Sequence, residues 1–177
     1  HGMTSAMPFE SADQAKAIEG LQKKAATAYR TAIRFLVPRA RSIREMRDYL
    51  NKKGIDETVT QKTLHRLETE KLLDDRAFAE LFIEQRERFK PKSHFALTFE
   101  LKKKGIDETI ILESLEEIDE FASAWRAIEP KIRLWHAYDD AKFKKKVMNA
   151  LRNRGFGYAV CITTFERAMQ SRAEKRA

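Results

Sequence analysis

The chain carries the stretch LNKKGIDETV at residues 50–59, and nearly the same stretch returns as LKKKGIDETI at residues 101–110. A third, weaker copy reads LRNRGFGYAV at residues 151–160. The copies are about fifty residues apart, and self-similarity at a fixed period of this size is the signature of a repeat architecture. We therefore expect a chain built from copies of a single helical unit.

Each copy has the composition of a corner between two helices. Its basic residues fall where a helix ends and can complement the exposed carbonyls of the last turn. Glycine follows, in the left-handed position that commonly ends a helix, and the next apolar residue can fold back onto that turn. In the first two copies Asp56 and Asp107 then have the place of an N-cap. The pattern predicts that one helix ends and another begins at every copy.

Apolar periodicity between these corners predicts about nine helices. The predicted fold class is all-α, with three tandem three-helix repeats in an elongated, curved arrangement. Residues 1–24 are interpreted as a tag remnant and an N-terminal lead-in. The predicted repeats span residues 25–71, 72–118 and 119–177.

Several local expectations depend on particular residues. The first helix is predicted over residues 25–37, stopped by Pro38, with at most a frayed helical lead-in over residues 12–24. Ser42 followed by Glu45 predicts a capping box. The run over residues 158–165 reads locally as a strand, but its place in the repeat predicts a helix.

The aromatic residues fall mostly at core spacing, so no base-stacking platform is predicted. The residues expected to face the core include Leu81, Phe89, Phe95, Phe99 and Phe121. In the seventh helix the apolar register survives Pro130, which predicts a kink or a break there instead of a loop.

Composition narrows the class of protein. The chain has 177 residues, of which 42% are apolar and 35% charged, and its net charge is +8. A basic protein commonly meets a polyanion or an acidic partner, although many basic proteins are merely soluble. The longest stretch without a charged residue, 155–165, is too short to cross a bilayer, and no signal peptide is visible. We expect a cytoplasmic protein, monomeric and without a membrane partner.

Catalytic or metal-binding patterns find little support. The sequence has no spacing of His and Cys that suits a zinc site and no nucleotide-binding glycine loop. The pairs at residues 74–75 and 139–140 could suggest a metal site, but both precede apolar helical periods and are better explained as caps. Cys161 is expected in the core, and His65 in a structural or surface position. We expect no enzyme activity and no cofactor.

Four stretches resemble the RecX family, the regulatory proteins of the RecA recombinase: residues 39–46, 72–79, 100–106 and 154–156. The stretches follow the order and spacing of the family, and the resemblance spans most of the chain, roughly residues 29–169. Departures from the family pattern include Pro38, Pro130, Gly157 and the stretch at residues 91–93, where the family usually has a basic stretch with glycine.

The resemblance implies three tandem three-helix repeats in a non-enzymatic bacterial protein that binds the RecA filament in its helical groove. Family members limit filament growth and with it the ATPase, strand exchange and coprotease functions of RecA. Some also bind DNA directly, so single-stranded or double-stranded DNA is a possible second partner. A stand-alone DNA-binding module with helix-turn-helix-like units and a passive helical scaffold remain alternatives.

Basic clusters recur at corresponding places in the three copies, where they could contact phosphates or an acidic groove. The alternative is that these residues only complement helix ends. The residues predicted to contact RecA or DNA are Arg39, Arg41, Arg44, Lys52, Lys53, Arg86, Arg88, Lys102, Lys103, Lys104, Arg152 and Arg154.

Overall fold

The computed structural model describes residue 2 and residues 8–177, with side chains from residue 11 onward. Most of the predicted tag remnant and the start of the lead-in therefore lie outside the described residues. The described part forms nine helices and no strand, which confirms the all-α prediction, including a helix over residues 158–165. The helices are α1 (Pro8–Leu36), α2 (Ile43–Lys52), α3 (Glu57–Thr69), α4 (Asp75–Phe89), α5 (His94–Lys103), α6 (Glu108–Leu115), α7 (Glu120–Trp135), α8 (Asp140–Asn153) and α9 (Tyr158–Arg176).

The chain divides into two compact units, one ending at Asp74 and the other running from Asp75 to Ala177. The first unit holds α1 to α3 around one core, made by Ala32, Met46, Leu50, Leu64, Leu67 and Leu73. The second unit holds α4 to α9 and has two cores. One lies among α4, α5 and α6, and the other among α7, α8 and α9. The predicted repeat boundaries stay predictions.

Most of the caps predicted from the sequence are present. The amide of Glu45 donates to Ser42 Oγ at 3.1 Å, and the amide of Ser42 donates to Glu45 Oε2 at 3.0 Å, which completes the capping box of α2. Five further helices begin at a single side-chain cap, formed by Asp56, Ser93, Asp107, Asp119 and Asp139. These short-range bonds satisfy amides that the first turn of a helix leaves without a partner.

The first helix begins well before residue 25, so its predicted start is wrong, and the predicted helical lead-in over residues 12–24 is a continuous part of this helix. α1 starts at Pro8 and continues without interruption into its packed part, where Ala28 and Ala32 are fully buried. The added segment is rich in Ala, Lys, Gln and Glu, which are good helix formers. Extending a helix that is already nucleated costs little, so this segment needs no apolar stripe of its own.

The aromatic residues of α5 face away from the core, which corrects the prediction. Phe95 is 78% exposed and Phe99 is 55% exposed, whereas Leu97 and Leu101 are fully buried. These four residues alternate with a period of two, and a helix places such alternating residues on opposite faces. Only the leucine pair can therefore pack inward.

Three other apolar residues expected in the core are also exposed: Leu81 by 43%, Phe89 by 75% and Phe121 by 50%. In α4 the buried face is made by residues such as Phe78 and Ile83, and Leu81 lies beside that face. Phe89 is the last residue of α4 and Phe121 the second of α7. The periodicity of apolar residues predicts the direction in which a side chain points. It does not show whether another helix packs against that end of the helix.

Pro130 lies inside α7, which continues past it, so of the predicted kink or break the break does not occur and no loop forms. Proline removes one amide donor, which leaves the carbonyl of Arg126 without its usual helical bond. The buried face continues on both sides of the proline, with Ile128 before it and Ile132 after it, both fully buried. Packing on that face maintains the helix through the missing bond.

Candidate functional site

The three corners share one backbone geometry. Gly54, Gly105 and Gly155 have φ angles of 82°, 80° and 86°. In each corner the glycine amide donates to the carbonyl three residues back at 2.9–3.0 Å. The amide of the following residue donates to the carbonyl five residues back at 3.1–3.2 Å. This is the Schellman arrangement, in which a left-handed residue closes the helix and the next residue turns back on it.

At the first corner the cations Lys52 and Lys53 are exposed. Lys53 Nζ lies 5.5 Å from the centroid of the Tyr49 ring. Glu57, just beyond the corner, has Oε1 at 3.7 Å from Arg47 Nε. Negative charge therefore lies close to this group of cations.

The second corner is similar. Lys102 and Lys103 are exposed, and Lys104 is half-buried at the end of α5. Lys102 Nζ lies 3.5 Å from Glu108 Oε1, and Lys103 Nζ lies 4.5 Å from the centroid of the Phe99 ring. An acidic residue again accompanies the basic run, as the repeated Asp-Glu dipeptide requires.

The third corner is packed into its surroundings. A Cβ on Gly155 would lie 2.6 Å from Ser93 Oγ and 2.8 Å from Ala96 Cβ, so α5 passes directly against this glycine. The amide of Ser93 donates to the carbonyl of Arg154 at 3.0 Å, and Arg154 Nη1 donates to the carbonyl of Pro91 at 3.1 Å. Burial lowers the pKa of Arg154 from its ordinary high value, and the guanidinium stays charged.

The second and third corners are therefore at opposite ends of α5. The third contacts the first turn of that helix, and the second forms its C-terminal end. Ten residues of α-helix are about 15 Å long. The basic residues of these two corners do not merge into a single cluster.

The three arginines before and in the first turn of α2 have different surroundings. Arg39 Nη2 lies 2.9 Å from Glu45 Oε1. Arg41 Nε donates to the carbonyl of Phe35 at 3.0 Å, and its guanidinium lies 3.8 Å from the centroid of the Phe35 ring. Burial first, and the nearby Arg39 charge second, lower the pKa of Arg41. Arg44 is exposed.

The two arginines of α4 also differ. Arg86 Nη2 donates to Glu100 Oε2 at 2.8 Å, and the same carboxylate accepts from Lys92. Burial alone would raise the pKa of Glu100, but these two cations outweigh it and hold the pKa below its ordinary value. Arg88 is exposed beside Phe89, with its guanidinium 5.1 Å from the ring centroid.

The predicted contact residues thus fall into two groups. The exposed group is Arg39, Arg44, Lys52, Lys53, Arg88, Lys102, Lys103 and Arg152. The half-buried group is Arg41, Arg86, Lys104 and Arg154. For Arg41, Arg86 and Arg154 the hydrogen bonds within the chain already give the side chain a structural role.

Sequence analysis missed Lys144 and Lys145, which line a cleft together with Arg152. A signal was present in the spacing of Lys145, Met148 and Arg152, which places them on one face of α8. These lysines lie in α8 before the third corner, so they are not part of the repeated corner pattern.

The remaining candidates for chemistry have structural surroundings. Cys161 is fully buried, its thiol donates to the carbonyl of Phe156 at 3.4 Å, and burial raises its pKa. Asp139 accepts from the amide of Lys142 at 2.8 Å as the cap of α8, and His65 is exposed. Over residues 11–177, whose side chains are described, no group of His, Cys, Asp and Glu could hold a metal ion. No described helix is long and apolar enough to cross a membrane.

Comparison with known proteins assigns the family. Family models described as RecX, first and second three-helix domains, match residues 28–67 and 74–115. The "Regulatory protein RecX" of Chlorobium phaeobacteroides (strain BS1) is 40% identical over 129 residues, covering 73% of this chain and 85% of that protein. The chain belongs to the RecX family. The resemblance carried by the four sequence stretches is thereby confirmed.

Other RecX proteins extend the comparison. The "Regulatory protein RecX" of Mycobacterium sp. (strain KMS) is 31% identical over 156 residues, covering 84% of this chain and 85% of that protein. The crystal structure of RecX from Lactobacillus salivarius superposes with a TM-score of 0.72 and 20% identity. The superposition covers 84% of this chain and 99% of that one, so the fold is shared over nearly the whole RecX structure.

Proposed function

We propose that this chain is a non-enzymatic negative modulator of RecA in DNA repair and the SOS response of a bacterial cytoplasm. It binds the RecA–DNA filament in its groove and limits filament growth, ATPase and strand exchange. Relatives that share 31–40% identity with this chain bear the name "Regulatory protein RecX", which supports a regulatory role.

The observation that carries the proposal is the recurrence of exposed cations on one repeated backbone corner. Each corner presents one or more exposed basic side chains, including Lys52, Lys102 and Arg152. Within the second unit the corners are separated by the length of α5, about 15 Å. Spaced contacts suit a periodic partner, because several weak contacts made together raise the effective concentration of each one.

Groove binding also accounts for inhibition without chemistry. A protein that contacts several protomers of a filament can stabilise one helical state through differential affinity. The half-buried arginines maintain the fold of the repeats, and the exposed cations contact the acidic surface of the partner. In this mechanism RecA itself performs all catalysis.

Measurement of RecA ATPase on single-stranded DNA, with and without the protein at several salt concentrations, tests the proposal. We expect inhibition that weakens as salt rises. The double variant Lys102→Glu with Lys103→Glu should raise the inhibitory concentration about tenfold, because two attractive contacts become repulsive. Lys104 is kept, since it is half-buried at the end of α5.

The matched control is Lys16→Glu with Lys175→Glu, which makes the same charge change on exposed residues away from the corners. Far-UV circular dichroism should show unchanged helicity in both double variants. Equal loss of inhibition in the two would remove the lysines of the second corner from the contact.

Direct DNA binding has one observation in its favour. Phe95 and Phe99 lie four residues apart on the exposed face of α5, and the Lys103 ammonium lies 4.5 Å from the Phe99 ring centroid. Exposed aromatic rings beside cations are typical of surfaces that stack single-stranded bases. Tight, steeply salt-dependent binding of bare DNA in the absence of RecA would favour the DNA-binding module over the RecA modulator.

A further inference from the structure

A cleft of about 390 Å³ opens between α8 and α9 in the second unit. Its floor is apolar and reaches the core, since Met148 is 9% exposed, Phe156 4% and Cys161 not at all. Clefts of roughly 300–1,000 Å³ with an apolar lining and a few polar groups are typical binding sites. This one can take a single bulky side chain together with the groups beside it.

Three cations line the same cleft: Lys144, Lys145 and Arg152. In the described part of the chain none of them lies within ion-pair distance of a carboxylate. Lys144 Nζ lies 5.6 Å from the centroid of the Phe165 ring, and Arg152 Nη2 donates to Asn149 Oδ1 at 3.0 Å. Their positive charge is therefore available to a ligand.

The lack of acids here follows from the sequence of the third corner. Where the other corners continue with Asp-Glu, this one continues with Gly157 and Tyr158. Asp140, in the first turn of α8, is directed to Arg172, with Oδ1 3.3 Å from Nη1. The cleft thus combines unneutralised cations at its rim with an apolar floor.

The floor discriminates between two kinds of anionic ligand. A nucleic-acid base brings polar edges, which lose free energy when they enter a site without hydrogen-bond partners. The floor residues offer only the Met148 thioether and the Cys161 thiol, and that thiol already donates to the carbonyl of Phe156. Tyr158 also lines the cleft, but its side chain is 78% exposed and belongs to the rim. An aliphatic or phenyl side chain has no such requirement, and carboxylates beside it would meet the lysines and the arginine.

We propose that the cleft between α8 and α9 binds an acidic peptide segment of a partner protein, with one bulky apolar side chain on the floor and flanking carboxylates at Lys144, Lys145 and Arg152. Methionine suits this floor because its flexible side chain adapts to different apolar groups. The proposal goes beyond the RecA-directed function and does not depend on it.

Fluorescence anisotropy with a labelled synthetic peptide, one phenylalanine flanked on both sides by aspartates and glutamates, tests the proposal on the full chain. Lys145→Glu should weaken binding at least about fivefold, because an attractive contact becomes repulsive. Lys146→Glu is the matched control: Lys146 is the next residue of the same helix, is also exposed, and does not line the cleft. It should weaken binding less than about twofold.

Two further probes separate the alternatives. A peptide with alanine in place of the phenylalanine should bind markedly more weakly to the unaltered protein. An unlabelled oligothymidylate should not displace the labelled peptide from the cleft. Equal effects of Lys145→Glu and Lys146→Glu would show general attraction of charge and overturn the proposal. Equal affinity for the alanine peptide, or displacement of the peptide by the oligothymidylate in a Lys145-dependent manner, would overturn it as well. No RecA is present, so the result is independent of the ATPase test.

Discussion

The first and third corners have the same backbone hydrogen bonds but opposite surroundings. Around Gly54 no atom would meet an added Cβ within 4 Å, whereas Gly155 lies against Ser93, the N-cap of α5, and Ala96 in the first turn of that helix. The backbone turn needs only a glycine and the end of a helix. Other parts of the chain determine what packs against that turn. The same motif therefore forms an open corner at Gly54, with nothing packed against it, and a joint at Gly155, where it contacts the start of α5.

The two corners differ in charge as well. At the first, Asp56 caps α3 by accepting from the amide of Val59 at 3.0 Å, and Glu57 follows it. At the third, Gly157 begins α9 without a side-chain cap, and the exposed Tyr158 follows. The first corner therefore carries its own acids, and the third does not. Three substitutions test this contrast, each on a different part of it.

The largest effect is expected from Gly155→Ala. An alanine there must adopt a left-handed conformation, which costs about 1–2 kcal/mol, and its Cβ overlaps two atoms of α5, which adds a similar amount. The expected loss in the free energy of unfolding is about 3 kcal/mol. Urea denaturation followed by far-UV circular dichroism measures it.

The matched control is Gly54→Ala, which has nearly the same φ angle and open space around the new methyl group. Only the conformational cost remains, so the loss should be about 1 kcal/mol. Similar losses in the two variants would mean that α5 does not press on the third corner, and the contrast between joint and open corner would fail.

A smaller effect is expected from Glu100→Gln. Glu100 holds Arg86 and also Lys92, and Lys92 belongs to the loop that receives the third corner. Loss of a partly buried carboxylate with charged hydrogen bonds should lower the free energy of unfolding by about 1.5 kcal/mol at neutral pH. The matched control is Glu108→Gln at the second corner, which removes an exposed acid 3.5 Å from Lys102 and should cost less than about 0.5 kcal/mol.

The effect of Glu100→Gln depends on pH in a defined direction. The pKa of Glu100 in the folded chain lies below its ordinary value, so the carboxylate stabilises the fold above that ordinary value and the contribution disappears as pH falls through the lower one. The unfolding free energies of the original and the variant should therefore converge under acidic conditions. A difference that persists unchanged at low pH would contradict the role of the charged form.

Much of the fold could be predicted because its signals act within one helical turn. Gly54, Asp56 and the Ser42–Glu45 capping box each impose a local geometry that no distant contact has to supply. The all-α class, the corners and most helix starts follow from such residues. The extended α1 was missed because helix propagation from a packed segment needs no signal beyond good helix formers.

The candidate site was less predictable, because exposure depends on which elements meet. Phe95 and Phe99 are of a residue type that usually packs in a core, but α5 buries its leucines instead. Arg154 looks like any cation at a helix end until Pro91, far away in the sequence, appears as its partner. The cleft that includes Lys145 needs α9 to pass beside α8, which no local pattern specifies.

The smallest effect is expected from Gly157→Asp, which gives the third corner the cap it lacks. Gly157 has φ −73° and ψ 166°, a typical N-cap conformation, and nothing lies within 4 Å of the position of a Cβ. The new carboxylate can accept from the amide of Val160, as Asp56 accepts from that of Val59. We expect a gain of about 0.5 kcal/mol in the free energy of unfolding, from the added bond and from a less flexible unfolded chain.

The reverse change at the first corner, Asp56→Gly, should lose a similar amount in the same urea titration. A loss of stability in Gly157→Asp would mean that the third corner excludes an acid for structural reasons, whereas a gain would show that the fold itself accepts an acid at this position.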